Sequence, residues 1–569
     1  MHNSCSKVPV PKQYLHVRAF SDMDGGSRGF TVFNAADNTV AYDSGNEMEH
    51  WAVRLGHWPE GRSEKKGNEP ENLLYSEFDD GNKYLFVLSE RSSLVFVYDA
   101  ADPTDPKLLQ ILPCASGPEG IVAIPERNLV AVASEVDVRE DKLRSSVAIY
   151  ELGDMDPLYP TIISDARDDG TFIPFAALSG LASACPYGVC DSGSDEKDHM
   201  FAVEDSFFRS NRVLTIDTSS YPAVLFNEMR ITDSNEEMKT CLEAVEGVNA
   251  TTLINDDMTV NIDPEGISYA REGGFWVVSE GSGTVGDEEK PFEYPNMLLR
   301  LDSSAVITKC ITLPSDFPDQ VRYGFEGVAE DGDNVVIAIQ RPWGEEEHPR
   351  IAVYNQVSED WKYLMYPIDS VGMLLALLVG YYFNLFAMFV HIVVFVLIYT
   401  ESQNGGWVGL SDIAPVGNGR FLVLERDDQA GPDAAIKMIY QIDLQSYEFE
   451  NGATLEKVLV KDLLDDLKHL KGGIVEKVEG LAVSSAGEIW IINDNDGVDD
   501  NSGETLFMNV GEYKDSSSGS LSVPINDIVE SLDTEEANAE AKEDSASSAP
   551  ALAGRASIVV AVASMVHYF

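Results

Sequence analysis

Two apolar runs recur along the chain as a pair, the first opened by an acidic residue and a glycine and the second closed by polar residues. In DPEGISYA the pair opens at Glu265, and in FWVVSE it closes at Glu280. The other close copies open at Glu119, Glu326 and Glu479 and close at Glu135, at Gln340 with Arg341, and at Asp494. Looser copies close at Glu90, Glu204 and Glu425. Short runs rich in β-branched and aromatic residues, broken by Gly, Asp and Pro, predict strands rather than helices.

Each pair is followed by a third apolar run that tends to end in Asp, as in RVLTIDT and MLLRLDS, and then by a fourth run. Four strands per unit at a spacing of about 40–50 residues are typical of a β-propeller, and we count about seven units. The predicted fold is therefore all-β, a propeller of about seven four-stranded blades. The opening stretch GFTVFNAADNTVAYDSG lacks a first and a second strand, so it either closes the ring against the last unit or is a remnant of a longer parent.

The repeated glutamate predicts a group of carboxylates on the propeller axis. The first strand of each blade lines the central channel, so a glutamate at its start is expected to face that axis. Like charges held close together need a bound cation, basic neighbours or raised carboxyl pKa values. The alternative is that the Glu-Gly pairs only cap strands and bond the backbone of the neighbouring blade.

Longer motifs carry a family resemblance. From about Phe172 to Gly511 the sequence resembles the phytase-like family, also called "esterase-like activity of phytase", through YGFEGVAEDGDNVVIAIQRPWG, GGWVGLSDIAPVGNGRFLVLERDD and EKVEGLAVSSAGEIWIINDNDG. The stretches VFNAADNTVAYDSGNEMEH and SSLVFVYDAADPTDPKLLQ resemble bacterial choice-of-anchor propeller proteins. We therefore expect an N-terminal extension over 1–28, choice-of-anchor-like blades over 29–168 and phytase-like blades over 169–511.

The resemblance implies hydrolysis of phosphate or carboxylic esters outside the cell, and hence a small-molecule ester as substrate. The sequence lacks a GxSxG motif with a partnered His at a strand-to-helix turn, so a serine triad has little support. A metal-assisted route fits better, because Ca²⁺ and other hard divalent cations prefer carboxylate oxygens. The candidate metal ligands are Glu265, Glu280, Glu326, Glu425, Glu479 and Asp494.

Basic side chains beside these carboxylates are the candidates for substrate contact. Arg341 and Arg426, together with Gln340, are expected to clamp the ester's anionic oxygens, because a guanidinium fork matches phosphate geometry. Lys437 would assist as a point charge, and Glu326 joins these groups as a candidate catalytic residue. The alternative for both arginines is a structural ion pair with the ring carboxylates. The second functional hypothesis is a non-catalytic surface propeller that binds a partner.

An acidic loop follows the last copy of the repeat and contains Asp494, Asn495, Asp496, Asp499 and Asp500. Its side-chain oxygens make it a separate calcium candidate. Its spacing lacks the sixth-position glycine and the distal glutamate of the helix-loop-helix calcium pattern. The alternative is a solvated loop.

The charge balance narrows the range of partners. Among 569 residues, 40 Lys and Arg stand against 96 Asp and Glu, a formal net charge of -56. Such a charge repels phosphate backbones, which argues against a nucleic-acid partner. It suits a salty or calcium-containing outside medium, and equally a solvated acidic surface kept for solubility.

The cysteines and one glycosylation sequon are the sequence features that depend on whether the chain is secreted. Cys185 and Cys190 lie close together in CPYGVC and are expected to form a small disulfide loop. Cys241 and Cys310 are the candidate pair for a second disulfide bridge. Asn249 begins an Asn-Ala-Thr sequon that would be glycosylated only if the chain is secreted. The first residues lack the apolar run of a signal peptide, so they give no support for secretion. The expected location is extracellular or membrane-anchored.

Two apolar segments raise the question of a membrane. Residues 372–398 contain no charged side chain other than one His and are long enough to cross a bilayer as a helix. They interrupt the propeller between two predicted blades, where only a short loop fits, so we expect 371–400 to be foreign to the fold, as a retained intron would leave it. A helix lying in a membrane is the alternative.

The C-terminal segment 512–569 is acidic and disordered in composition, and it ends in the apolar run SIVVAVASMVHYF. Small residues, a spacer and this apolar end suggest a lipid-anchor signal that would be removed. The alternative is a frayed apolar terminus.

Overall fold

The structure is a computed structural model that describes residues 13–16, 28–78, 81–138, 144–154, 156–187, 196–284, 288–314, 321–369, 406–445, 447–469, 472–498 and 502–514. The apolar segment 372–398, the C-terminal segment from 515 onward, Cys190, Asp499 and Asp500 lie outside these residues. Within the described part of the chain, no helix has the length and apolar character that a membrane crossing requires.

Three sheets form the N-terminal part. The first contains β1 (Gln13–His16), β2 (Thr31–Asn34) and β3 (Val40–Asp43). The second contains β4 (Pro70–Glu77), β5 (Lys83–Ser89), β6 (Leu94–Asp99) and β7 (Lys107–Pro113). The third contains β8 (Pro118–Ile124), β9 (Leu129–Ser134) and β10 (Ser146–Glu151). Helix α1 (Glu47–Arg54) lies between the first two sheets in the chain.

Five further sheets follow, here called ring blades 1 to 5. Blade 1 contains β12 (Leu178–Ser183), β13 (His199–Glu204), β14 (Arg212–Asp217) and β15 (Ala223–Arg230), with β11 (Ile162–Ser164) parallel to β15. Blade 2 contains β16 (Asp263–Tyr269), β17 (Phe275–Glu280), β18 (Met297–Leu301) and β19 (Ile307–Thr312), and α2 (Glu237–Glu243) precedes it. Blade 3 contains β20 (Phe325–Asp331), β21 (Asn334–Ile339), β22 (Arg350–Asn355) and β23 (Trp361–Met365). Blade 4 contains β24 (Val408–Pro415), β25 (Arg420–Asp427), β26 (Lys437–Asp443) and β27 (Lys457–Asp462), and α3 (Leu464–His469) follows it. Blade 5 contains β28 (Val478–Val483), β29 (Glu488–Asn493) and β30 (Phe507–Glu512).

The first strands of the ring blades close a circle around one axis. β12 contacts β16, β16 contacts β20, β20 contacts β24, β24 contacts β28, and β28 contacts β12 again. A bridge between Pro186 and Ser484 joins blades 1 and 5 directly. The prediction of an all-β propeller is confirmed. Five of the seven predicted units form the ring, because blades 1 and 5 meet and leave no opening for the two units that precede them.

The axis is filled with apolar side chains supplied by the five first strands. Leu181, Ile267, Val328, Ile413 and Leu481 line the same small cavity there, and each is at most 2% exposed. Burial of this size stabilises the ring by about 1.5–3 kcal/mol for each fully buried side chain. Because the channel is filled, a binding or catalytic site is expected on one of the two faces of the ring.

The glycine of the repeated Glu-Gly pair is required by close packing of neighbouring blades. A Cβ atom on Gly266 would lie 2.3 Å from the carbonyl oxygen of Glu326, and one on Gly327 would lie 2.5 Å from the backbone nitrogen of Ile413. Both approaches are far too short for a side chain. In blade 4 the position belongs to Asp412, whose carboxylate accepts the backbone N–H groups of Ile413 (2.8 Å) and Leu481 (2.7 Å).

The remaining two predicted units pack on each other beside the ring. The side chain of Asn72 on β4 donates to the carbonyl of Glu119 on β8 at 2.7 Å, the same neighbour relation that the ring blades show. The opening strands do not close the ring, since Phe30 and Val32 share a core with Leu85 of β5. This part is held to blade 5 by Asn495, whose side chain donates to the carbonyl of Gly56 at 2.8 Å.

Candidate functional site

One face of the ring, here called the mouth, is built from equivalent positions of the five blades. Each first strand has a β-bulge near its start, and bulges re-aim a side chain. The bulged positions are Ser179, Glu265, Glu326, Ser411 and Glu479. The second strands end beside them, and the strand register makes Asp205, Glu280, Gln340, Arg426 and Asp494 equivalent. The Glu-Gly repeat is thus a bulge that presents its side chain to the mouth.

Three carboxylates of blade 2 meet at the mouth and are here called the acid cluster. Asp263 lies opposite Glu280 in the strand register, and Glu265 is the bulged residue two positions after Asp263. Ligand oxygens of the three lie within 4.8 Å of one another. Asp263 accepts the N–H of Ser206 at 3.0 Å, and Glu280 accepts the N–H of Gly324 at 2.9 Å. Three convergent carboxylates are the donor set that hard divalent cations prefer.

Burial and mutual repulsion hold protons on these carboxyls. Burial, followed by the charge of Glu326, raises the pKa of Glu265 well above its ordinary value. Burial also raises the pKa of Glu280 to about 7 and that of Asp263 above its ordinary value. The pKa of Glu326, which is 3% exposed, is raised well above the ordinary value by burial and then by the charge of Glu280. Without a cation, this group of carboxyls therefore keeps protons near neutral pH.

Blade 4 places a guanidinium against the carboxylates. Arg426, 2% exposed, donates to Glu479 at 2.5 Å and to the hydroxyl of Ser411 at 3.0 Å. Its charge also lowers the pKa of Glu326 against the effect of burial. The structural ion pair expected as an alternative is therefore present for Arg426. Its Nη1 atom, however, has no hydrogen-bond partner among the described residues.

Blade 5 places a lysine against the carboxylates of the acidic loop. Lys477 donates to Asp494 at 3.1 Å and also to Asp496. Burial raises the pKa of Asp494 to about 7, although Lys477 opposes that shift. The amide of Asn495 is fully buried and bonds Ala177, Gly56 and Gly503, so it is not free to bind a cation. The three described residues of the acidic loop are thus engaged in the fold.

The structure places two predicted site residues away from the mouth. Glu425 precedes Arg426 on β25 and therefore faces the other side of the sheet. Its carboxylate accepts from Lys457 at 2.6 Å and from the hydroxyl of Tyr366 at 3.0 Å. Lys437, with no exposed side-chain surface, donates to the carbonyls of Asp427 and Glu476 at 2.7 and 2.6 Å, and burial lowers its pKa to about 8. Neither residue is positioned to contact a cation or a substrate at the mouth.

Arg341 belongs to an alternating row of guanidinium groups and aromatic rings at the mouth, here called the stacked row. In order, the row contains Arg322, Tyr323, Arg341, Trp407 and Arg426. The Cζ atom of Arg341 lies 4.3 Å from the centre of the Tyr323 ring and 4.7 Å from that of Trp407. Gln340, 8% exposed, precedes Arg341, and its Oε1 atom has no hydrogen-bond partner within the described part of the chain.

Several mouth residues have no counterpart in the sequence predictions. Asp263 and Lys477 each lie two positions before a bulged glutamate. A charged residue at that position of the repeat is the sequence signal that could have identified them. Asp205 closes the second strand of blade 1, one residue after Glu204, whose carboxylate is instead paired with Arg212 at 2.6 Å. In the sequence, Tyr323 and Trp407 look like aromatic residues of the hydrophobic core. Only their contacts with arginine side chains identify them as residues of the mouth.

Two further carboxylate groups occur in the N-terminal part. One contains Glu69, Glu71 and Glu90, and the other contains Glu90, Glu119 and Glu135. Glu69 already pairs with Arg62 and with Lys66. These groups repeat the pattern of the acid cluster, but their carboxylates do not belong to the mouth.

The cysteines and the sequon are placed as follows. Cys185 is disulfide-bonded, and its predicted partner Cys190 lies outside the described residues. Cys241 and Cys310 are free thiols in hydrogen-bond contact, so the second bridge is not formed. Asn249 is exposed, and its side chain accepts from the hydroxyl of Thr251 at 2.7 Å. Glycosylation at Asn249 stays a prediction.

The raised pKa values predict that the cation-free protein loses stability as the pH rises. Glu280 and Asp494 have pKa values of about 7 in the folded chain, against 4.5 and 3.8 as ordinary values. The folded chain thus binds protons more tightly than the unfolded chain, and this contribution is lost as the pH rises through about 7. The melting temperature of metal-depleted protein is expected to fall by at least about 3 °C between about pH 5 and pH 8. The double variant Glu280→Gln, Asp494→Asn should show a smaller fall; an equal fall in both proteins would contradict this origin.

Comparison with solved structures finds matches of low similarity. A protein from Lactobacillus plantarum is 8% identical, with coverage of 75% of this chain and 90% of that one and a TM-score of 0.25. The major Malassezia sympodialis allergen Mala s 1 is 10% identical, with coverage of 80% and 94% and a TM-score of 0.29. A GH43 protein from Bacillus licheniformis is 11% identical, with coverage of 60% and 54% and a TM-score of 0.30. No curated protein matches the chain at a significant level.

Family models match both parts of the sequence. The Choice-of-anchor I domain matches residues 21–103, which include β2 to β6. The phytase-like model, described as esterase-like activity of phytase, matches residues 173–497, which include nearly all of the ring. The matched region contains the acid cluster, the stacked row and Asp412. The chain belongs to the phytase-like family.

Proposed function

We propose that the chain is a cation-assisted hydrolase of phosphate or carboxylic esters that acts at the mouth of the ring, outside the cell. The observation that carries this proposal is the acid cluster, three carboxylates within 4.8 Å of one another beside the guanidinium groups of the stacked row. A cation on one side and guanidinium groups on the other suit an ester with anionic oxygens. The disulfide-bonded Cys185 supports an oxidising location.

The residues present fit Ca²⁺ or another hard divalent cation. Asp263, Glu265 and Glu280 supply oxygens only, and their raised pKa values show that the three charges are poorly compensated by the protein itself. When bound, the cation would polarise the ester and stabilise the negative charge that develops during hydrolysis. Glu479 is less available to it, because its carboxylate is already paired with Arg426 at 2.5 Å.

The chain's own side chains divide the remaining tasks. Glu326 is buried and keeps its proton because its pKa is raised, so it can protonate the leaving oxygen as a general acid. Arg341 is half-buried and accessible, and it binds the anionic oxygens of the substrate. Arg426 holds the Glu479 carboxylate at the edge of the mouth through their ion pair.

Turnover of phosphomonoesters and simple carboxylic esters tests the proposal. The wild-type protein is expected to hydrolyse at least one of the two, to lose at least about 90% of that activity on removal of divalent cations, and to regain it with Ca²⁺. Glu326→Gln should lower kcat by about 100-fold or more, because a general acid contributes about that much. Asp333→Asn, on an exposed hairpin, is the control and should retain full activity. Activity that survives both metal removal and Glu326→Gln would refute the proposal.

One observation favours the alternative of a non-catalytic binding propeller. The glycine of the Glu-Gly repeat is fully explained by the close approach of neighbouring blades, as at Gly266 and Gly327. A repeat retained for packing does not require catalysis. Absence of turnover on all esters tested, together with binding of a partner that Glu326→Gln does not weaken, would support this alternative.

A further inference from the structure

Arg341 differs from the other mouth arginines because no carboxylate of the described residues pairs with it. Arg426 is paired with Glu479, and Arg322 lies close enough to Glu280 for its charge to oppose the rise in the pKa of that carboxyl, which burial causes. The guanidinium of Arg341 stacks on the rings of Tyr323 and Trp407, and within the described residues it makes no hydrogen bond or ion pair. In a chain with a formal net charge of -56, an accessible guanidinium without a carboxylate is unexpected.

The rings around Arg341 are fixed by the backbone and are not loosely packed surface residues. Tyr323 has a φ of 58°, a left-handed conformation that costs energy for a residue other than glycine. The flanking segment is held by the buried Asn296, which donates to the carbonyl of Val321 at 2.9 Å and accepts the N–H of Phe325 at 2.9 Å. Strain that the surroundings maintain in this way commonly marks a functional position.

Trp407 is clamped on the other side of Arg341. Its backbone N–H donates to the carboxylate of Asp428 at 2.9 Å, and its backbone carbonyl accepts the backbone N–H of Asp428 at 3.1 Å. The same ring lies 5.3 Å from the Cζ atom of Arg426. Trp407 therefore separates two guanidinium groups whose like charges would otherwise repel at short distance.

Two unpaired donors remain beside Trp407. One is the guanidinium of Arg341, and the other is Nη1 of Arg426, which lies 3.9 Å from a carboxylate oxygen of Glu476 and makes no hydrogen bond to a described residue. A buried N–H group without a partner is costly, so a ligand oxygen at this point would remove that cost. Oxygens of one small anion are the chemistry that both donors bind.

We propose that Arg341, held between Tyr323 and Trp407, is an oxyanion-binding residue that works without a bound cation, and that the two rings position it. The ligand is a phosphate or carboxylate oxyanion; its assignment to the ester's anionic group rests on the proposed function. Tyr323 and Trp407 are positioning residues, because they act through Arg341 and need not touch the ligand.

Calorimetric titration of metal-depleted protein with inorganic phosphate, and separately with acetate, tests this proposal. The wild type is expected to bind at least one of the two saturably, one anion per chain. Arg341→Gln should abolish binding, and Trp407→Leu should weaken it by about tenfold, whereas Trp407→Phe, which keeps an aromatic face, should stay within about threefold. The anion that binds more tightly distinguishes a phosphate from a carboxylate ligand.

A matched control is available in blade 3. Arg350 is also stacked between two rings, at 4.8 Å from Trp343 and 4.1 Å from Tyr363, but it is paired with Glu346 at 2.5 Å. Arg350→Lys should therefore leave anion binding unchanged. No saturable binding by the wild type, or equal binding by the wild type, Arg341→Gln and Trp407→Leu, would overturn the proposal. If no ester is hydrolysed but anion binding depends on Arg341, the proposed function fails and this inference stands.

Discussion

Replacement of Glu280 by Gln will weaken Ca²⁺ binding by at least about 100-fold, because the acid cluster loses one of three charged ligands. The change is nearly isosteric, and the Gln carbonyl can still accept the N–H of Gly324 that Glu280 accepts at 2.9 Å. The fold of the mouth should therefore persist while its cation affinity falls. Titration calorimetry with Ca²⁺ at about pH 8, where Glu280 is ionised, measures the loss, and the melting temperature confirms folding.

Glu425→Gln is the matched control, since Glu425 occupies the place that the sequence repeat assigns to a metal ligand. Its carboxylate is bound to Lys457 and Tyr366 on the other face of β25. The variant should lose stability, because it leaves the partly buried Lys457 with Asp369 as its one remaining described carboxylate partner, at 2.8 Å, but its Ca²⁺ affinity should remain within about twofold of wild type. Equal losses of Ca²⁺ affinity in Glu280→Gln and Glu425→Gln would show that the two carboxylates are not distinguished as the structure requires.

Replacement of Asp412 by Ala will destabilise the ring by about 3–5 kcal/mol. The Asp412 carboxylate accepts N–H groups from Ile413 in its own blade and from Leu481 in blade 5, and Leu181 of blade 1 also donates to it. Alanine would leave these buried N–H groups without acceptors, at about 1–3 kcal/mol for each. Chemical denaturation, followed by far-UV circular dichroism, measures the change.

The position of Asp412 explains why its effect exceeds that of other aspartates. It has no exposed surface and connects three blades on the axis. Asp333→Ala, in an exposed hairpin, should change stability by no more than about 0.5 kcal/mol. An Asp412→Ala protein as stable as Asp333→Ala would show that the blades do not meet at this carboxylate.

Much of the mouth could be predicted because the repeat marks the same bulge in each blade. Glu265, Glu326 and Glu479 occupy that bulge, and Glu280 and Asp494 close the paired strands. Residues separated by more than two hundred positions in the chain are therefore neighbours. The repeat carries this information, since a propeller places equivalent residues around one axis.

The misplacement of Glu425 has its physical origin in the strand register. Sequence alignment of the repeats equates Glu425 with Glu280, but the pairing of Leu410 with Glu425 ahead of the bulge makes Arg426 the equivalent residue. A shift of one residue moves a side chain to the opposite face of a strand. The sequence alone does not reveal that shift, because FLVLERD carries polar residues at both positions.

The number of blades in the ring also could not be predicted from the sequence. All seven predicted units form sheets, but contact between β12 and β28 closes the circle after five. Which first strands meet is decided by tertiary packing, for example by the approach of Gly480 to Leu181, and not by the repeat itself. The stacked row was missed for a similar reason, since Tyr323 and Trp407 belong to different blades.

The central claim is that blade folding gathers Asp263, Glu265 and Glu280 into one cation site, and locating a bound metal tests it most directly. Crystals grown with Mn²⁺ in place of Ca²⁺ allow the ion to be found by anomalous scattering. We expect the strongest anomalous peak between these three carboxylates, and its loss in Glu280→Gln crystals. A strong peak only at other carboxylates, such as Glu69, Glu71 and Glu90, with none at the mouth, would contradict the account.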